Sequence, residues 1–132
     1  MPIRFTYDQQ RKILFTTAEG LVSFEDIEKH LDQETAEKAL GYPELVDASA
    51  AWTNLPSEEV RQIVLRLQAM RRTVQLGPTA IVTTSDMFFG MARMAAILCE
   101  LQGGPNVGVF RTFDEGLDWL VTVPSGGGTA PS

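Results

Sequence analysis

The sequence predicts an α/β domain: a single-layer, mixed and mostly parallel five-stranded sheet covered by helices, in the order ββαβαβαβα. Three observations predict it. Two alternating apolar runs, residues 3–7 and 12–17, are separated only by Asp8-Gln9-Gln10-Arg11, as in an antiparallel hairpin. After them, strand-like and helix-like segments alternate along the chain, the pattern of a parallel sheet joined by crossover helices. Most helix starts also carry a recognisable capping residue.

In order, Gly20 allows a turn, and Ser23-Phe24-Glu25-Asp26 has the spacing of a capping box, with Asp26 in place of the usual Glu or Gln. The helix from Phe24 has the core stripe Phe24, Ile27 and Leu31. Residues 32–38 lose that rhythm and are either a solvated extension or a second short helix ending at Gly41. Pro43 ends the helical region, and residues 44–49 form a buried strand. Residues 50–55, with Trp52, Thr53 and Asn54, make a loop. A helix follows that Pro56, Ser57, Glu58 and Glu59 start well. Its stripe is Val60, Ile63, Val64, Leu67, Met70 and Val74, and Gly77-Pro78 ends it. Residues 79–84 are the fourth strand and 107–110 the fifth. Thr112-Phe113-Asp114-Glu115 launches a last short helix with Leu117, Trp119 and Leu120. One domain, residues 1–122, is expected, with a flexible tail over 123–132.

Between the last two strands, Ser85 caps a helix from Asp86 to Leu101 that carries only Arg93 and Glu100 as charges after its first turn. Met87, Met91, Met94, Leu98 and Leu101 form one stripe, beside Phe88, Ala92, Ala95 and Cys99. Most of Met87, Met91, Met94 and Leu98 is expected in the core. Phe89 falls on the side of Arg93 and Glu100, where it would stack on Arg93, pack under a neighbouring element, or lie at a dimer interface or pocket mouth.

The formal charge of -6 and a pI near 4.7 oppose nucleic acid and anionic membrane surfaces. Cys99 is the sole cysteine, which excludes an internal disulfide and a cysteine metal cage. The amino terminus has no signal-peptide apolar region, and no run approaches the roughly 20 apolar residues of a spanning helix, so a cytoplasmic protein is expected. Gly103-Gly104 precedes a strand and cannot cradle a phosphate at a helix start, and no cofactor is expected.

His30, with Asp26 and Glu34 four residues to either side, could serve acid–base or metal chemistry, and is read as part of a solvated acidic face. A triad of Ser49 or Ser57 with His30 and Asp47 lacks a nucleophile elbow and is discounted. Asp47 is expected to accept from amides of the 50–57 loop or to pair with an arginine. The arginines at 61, 66, 71 and 72 could bind an anionic partner, and are read instead as helix-end charges and counter-charges to the acidic first helix.

The entry Gly20-Leu21-Val22-Ser23-Phe24-Glu25-Asp26, the strand Leu45-Val46-Asp47, the helix Phe89-Gly90-Met91-Ala92-Arg93 and the closing run from Phe110 to Leu120 resemble the small bacterial SpoIIAA-like proteins, also described as STAS/SEC14-like. The resemblance spans about residues 3–120. It implies a non-catalytic α/β module. STAS domains proper act as anti-sigma factor antagonists and as regulatory parts of anion transporters, and the Sec14 comparison implies an apolar ligand pocket. Phosphorylation-switched antagonists carry an Asp-Ser-Ser-Gly-Leu type motif where this chain has Leu55-Pro56-Ser57-Glu58-Glu59. A phosphate on Ser57 would gain from the helix start but be repelled by Glu58 and Glu59. The expected function is therefore regulatory protein binding, with Ser49, Trp52, Thr53, Asn54 and Ser57 as the partner or phosphorylation loop. The alternative is binding of an apolar, lipid-like molecule by Met87, Phe88, Phe89, Met91 and Met94, with Arg93 beside them. A homodimer is left open.

Overall fold

The computed structural model describes residues 2–123. The expected tail falls outside them apart from Val123. The elements are β1 (Ile3–Asp8), β2 (Ile13–Leu21), α1 (Phe24–Ala36), β3 (Glu44–Trp52), α2 (Ser57–Met70), β4 (Thr79–Val82), α3 (Asp86–Gln102), β5 (Val107–Phe110) and α4 (Phe113–Thr122). The strands lie side by side in chain order; β1 is antiparallel to β2, and all other neighbours are parallel. The predicted fold class is the observed one.

Local chemistry sets the junctions. In the hairpin, Asp8 Oδ1 accepts from the amides of Gln10 and Arg11, and Lys12 turns the chain at a φ of 57°. Ser23 and Asp26 exchange both bonds of a capping box at α1. Ser85 and Thr112 accept from Phe88 and Glu115 at the starts of α3 and α4. Gly103 ends α3 in the left-handed conformation, and the Gly104 amide donates to the Cys99 carbonyl.

Alternation along the strands divides the core in two. On one face Ala18, Ala48 and Ile81 pack with Ile27 of α1 and with Phe88, Met91 and Ala92 of α3. On the other, Ile13, Leu45, Ala80 and Val82 pack against Leu117, Trp119 and Leu120 of α4. Gly116 lets α4 approach this closely, since a Cβ there would lie 2.8 Å from Val82 Cγ2.

Three expectations are corrected and one open alternative is resolved. Residues 50–52 are not loop: β2 and β3 run on together, with Gly20 opposite Ala51 and Leu21 opposite Trp52. The second helix stops at Met70, leaving Val74 exposed, because the chain turns to bury Leu76 and to bond the Gly77 amide to the Leu40 carbonyl. Of the two alternatives for residues 32–38, the extension of the first helix is the observed one, through Ala36, although Glu34 within it is buried and not solvated. In α3 the buried seam is Phe88, Ala92 and Cys99, whereas Met87 is 66% exposed and Met91, Met94 and Leu98 are half-buried.

Candidate functional site

Because α1 continues past Leu31, the stripe Ile27–Leu31 extends by one more turn to Glu34, which faces the sheet and is buried. His30, one turn earlier, comes with it. Below them, Glu44 opens β3, and Thr16 of β2 donates its hydroxyl hydrogen to Glu44. His30 Nε2 lies 2.9 Å from Glu44 Oε2 and 3.3 Å from Glu34 Oε2, with side-chain exposures of 11%, 12% and 3% for His30, Glu44 and Glu34. The ring of Phe5 meets His30 edge to face at 5.5 Å. His30 thus belongs to a buried charged cluster, which corrects the expectation of a solvated face. Asp26 is absent from it, its carboxylate being used on the Ser23 amide.

The electrostatics follow from burial and proximity. Burial disfavours the charged imidazole, but the carboxyl groups of Glu34 and Glu44 close to its Nε2 outweigh it and raise the His30 pKa to about 10. Burial, followed by repulsion from Glu44, pushes Glu34 up to about 8. Burial opposes ionisation of Glu44 too, yet its bond to His30 and the imidazolium charge hold it below the usual carboxylate range. At neutral pH the cluster therefore holds a cationic His30, an ionised Glu44 and a protonated Glu34.

These three side chains line part of a partly enclosed cavity of about 180 Å³ between the sheet and α1, α2 and α3. All five strands contribute to its floor, and Val60, Ile63, Phe88, Met91 and Ala95 are among its apolar walls. Phe88 and Met91 of the expected apolar site are thus brought together there. Met87 is on the surface instead, and Met94 does not line the cavity. Phe89 also lies elsewhere, under Arg111 and not under Arg93, with the guanidinium carbon 4.0 Å from the ring centre. Arg93 is exposed and lines a second, surface groove between α3 and β5.

The residues expected to form a partner loop are separated by the fold. Trp52 is 51% exposed, and Asn54 and Ser57 are exposed around the start of α2. Thr53 is 1% exposed and donates to the Val22 carbonyl at 2.8 Å, so it joins β3 to the α1 entry and offers no free hydroxyl. Asp47 accepts from the amide and hydroxyl of Ser49 two residues on, not from the loop. Alternation places Asp47, like Leu45, on the α4 face of the sheet, opposite His30, and Ser49 is bonded to Asp47, so the imagined triad does not assemble. Arg66 bridges to Glu28 and Asp32 of α1, as the counter-charge expectation requires. Arg71 donates to the carbonyls of Gly103 and Gly104 beyond the end of α3.

Sequence reasoning missed Glu44 and the burial of Glu34. The signal for Glu34 was present, since it lies three residues after Leu31 and seven after Ile27 on the core stripe. Nothing in the sequence pairs Glu44 with His30.

No family model matches the chain, and no curated protein matches it significantly. Among solved structures it is similar to an uncharacterized DUF3478-family protein from Shewanella loihica PV-4, described as having a SpoIIAA-like fold. The TM-score is 0.54 at 20% identity, over 89% of this chain and 91% of that one. The fold is SpoIIAA-like. That agrees with the resemblance drawn from the sequence motifs, and at this identity it carries architecture only. Among the described residues of this SpoIIAA-like chain, no helix is long and apolar enough to cross a membrane.

Proposed function

We propose that the protein is a non-catalytic binding module that holds a compact, mainly apolar molecule beneath α1, α2 and α3. The observation that supports this is the cavity itself, about 180 Å³ with apolar walls and the His30, Glu34 and Glu44 groups lining part of it. An apolar cavity of about 150 Å³ accommodates benzene. The ligand is accordingly the size of one ring or a short branched chain carrying one polar group, and a long lipid tail would be too large. Binding follows from shape and desolvation, and the polar end sets orientation.

Native mass spectrometry of protein purified from its own host tests the proposal, together with methyl NMR of Met91 under xenon or benzene. A retained small molecule, or Met91 shifts on adding the probe that vanish in Ala95→Leu, is the expected result. A cavity that takes neither probe, with no ligand retained, overturns it.

A second reading, regulation through a protein partner, is favoured by the adjacent exposed Leu21 and Trp52, at 43% and 51%, beside Asn54 and Ser57. The same host-purified sample reports on it. Phosphate on Ser57, or a stoichiometric partner lost in Trp52→Ala, supports regulation; absence of both removes it.

A further inference from the structure

We propose that His30, Glu34 and Glu44 form a zinc site. The placement goes beyond the cavity-binding proposal and does not depend on the cavity having an organic ligand.

The first observation is geometric. One ligand atom from each of the three side chains lies within 4.8 Å of the other two. His30 and Glu34 are held one helical turn apart on α1, and Glu44 sits on the first residue of β3, so two different elements fix the set. The separations from His30 Nε2, 2.9 and 3.3 Å, approach the edge of about 3.3 Å for a tetrahedron with bonds of about 2.0 Å, the length zinc makes to imidazole and carboxylate.

The second observation is an unsatisfied oxygen. His30 Nε2 carries at most one hydrogen, and Glu44 is its closer acceptor. Glu34 Oε2 is left buried without a hydrogen-bond partner although it points at the same nitrogen, in a side chain only 3% exposed. Orphaned carboxylate oxygens this deep are costly. A cation between the three groups would take up Glu34 Oε2 together with His30 Nε2 and Glu44, leaving only His30 Nδ1 without a partner, and with neutral His30 the two glutamates balance a divalent charge in the apolar surroundings.

The donor set also discriminates among ions. One imidazole and two carboxylates suit zinc, whereas calcium takes six to eight oxygens and magnesium keeps several waters, which these apolar walls cannot accommodate. The fourth zinc position falls to a water or to the polar end of a cavity ligand.

The test uses the full chain, stripped with chelator, and zinc alone. Isothermal titration should give one zinc per chain, and cobalt(II) in its place should give the visible bands of a tetrahedral centre. Glu34→Gln preserves the shape of the neutral acid, and its folding is verified by circular dichroism. It should weaken zinc by more than the roughly 10–100-fold lost with an outer-shell partner. Asp32→Asn, an exposed acid on the same helix, should leave affinity unchanged. No stoichiometric zinc, or equal loss in the two variants, overturns the site. Failure here leaves the xenon and benzene result untouched, so the two proposals fall separately.

Discussion

The guanidinium of Arg111 lies over the ring of Phe89 while its two terminal nitrogens reach the Thr84 carbonyl at 3.2 Å and Asp86 at 2.9 Å. One side chain at the end of β5 thereby fastens the turn between β4 and α3. Arg111→Ala should lower stability by about 1 kcal/mol, measured by urea unfolding, mostly through the stacking contact because Asp86 is almost fully exposed. Arg111→Lys should recover little, since a point charge cannot stack and fork together. Full recovery by lysine would show that charge alone matters.

The buried cluster makes stability depend on pH in a defined direction. His30 and Glu34 bind protons more tightly in the folded chain. Their contributions are complete below 6.5 and 4.5 and are lost as pH rises through about 10 and about 8. Glu44 is shifted the other way, so its contribution is present above 4.5 and lost on acidification. With chelator present, the melting temperature should fall between pH 6.5 and 10, and Glu34→Gln should flatten the portion below about 8. A flat or rising profile across that range would contradict the assignment of charges.

Glu44→Gln probes the same cluster by removing the one partner that neutralises His30. Breaking a buried pair from one side costs about 3–5 kcal/mol. Denaturant titration at pH 7 should show a larger loss for Glu44→Gln than for Glu34→Gln, which replaces a group already neutral. Equal losses would mean that Glu34 is ionised.

Gly77→Ala should be among the most damaging single-methyl changes. The added Cβ would lie 2.6 Å from the Tyr42 carbonyl carbon and 2.9 Å from the Gly41 oxygen, and both are backbone atoms that cannot rotate away. A loss of roughly 3 kcal/mol or more, or failure to fold, is expected by thermal melting. Gly90→Ala, where nothing lies within 4 Å, is the matched control and should be neutral or slightly stabilising.

Cys99 should behave as a core atom. Burial raises its thiol pKa to about 11, and its side chain is packed against Gly104. Ellman's reagent should modify it only at the rate of unfolding; rapid reaction in the native protein would expose an opening not seen here.

What the sequence made legible was whatever short-range chemistry controls. Ser23 with Asp26, Ser85 and Thr112 marked the starts of α1, α3 and α4, and alternation marked the strands. Long-range contacts decided the rest. Met70 ends α2 because Leu76 and Gly77 dock against residues some 35 positions earlier, such as Leu40 and Tyr42. In α3 two apolar stripes competed, and the smaller one, with Ala92 and Cys99, won because small side chains let the helix approach the sheet. Phe89 found Arg111 instead of Arg93 because β5 ends beside the start of α3. The buried charged cluster was hidden for the same reason: His30 and Glu34 share a helix, but only the parallel pairing of β2 with β3 brings Thr16 and Glu44 beneath them.

The unbroken spatial order of the strands bears on how the chain reaches this state. Each strand after the first adds to the free edge left by its predecessor, and none has to be inserted between strands already paired. Assembly can thus advance in the direction of synthesis, with every new crossover closing a loop of modest length. The α4 face is the exception. Leu45 and Val82 have no cover until the last helix arrives, so a nascent chain halted before Phe113 would present that sheet face bare, and chaperone engagement should peak at that length and end once Leu120 has emerged.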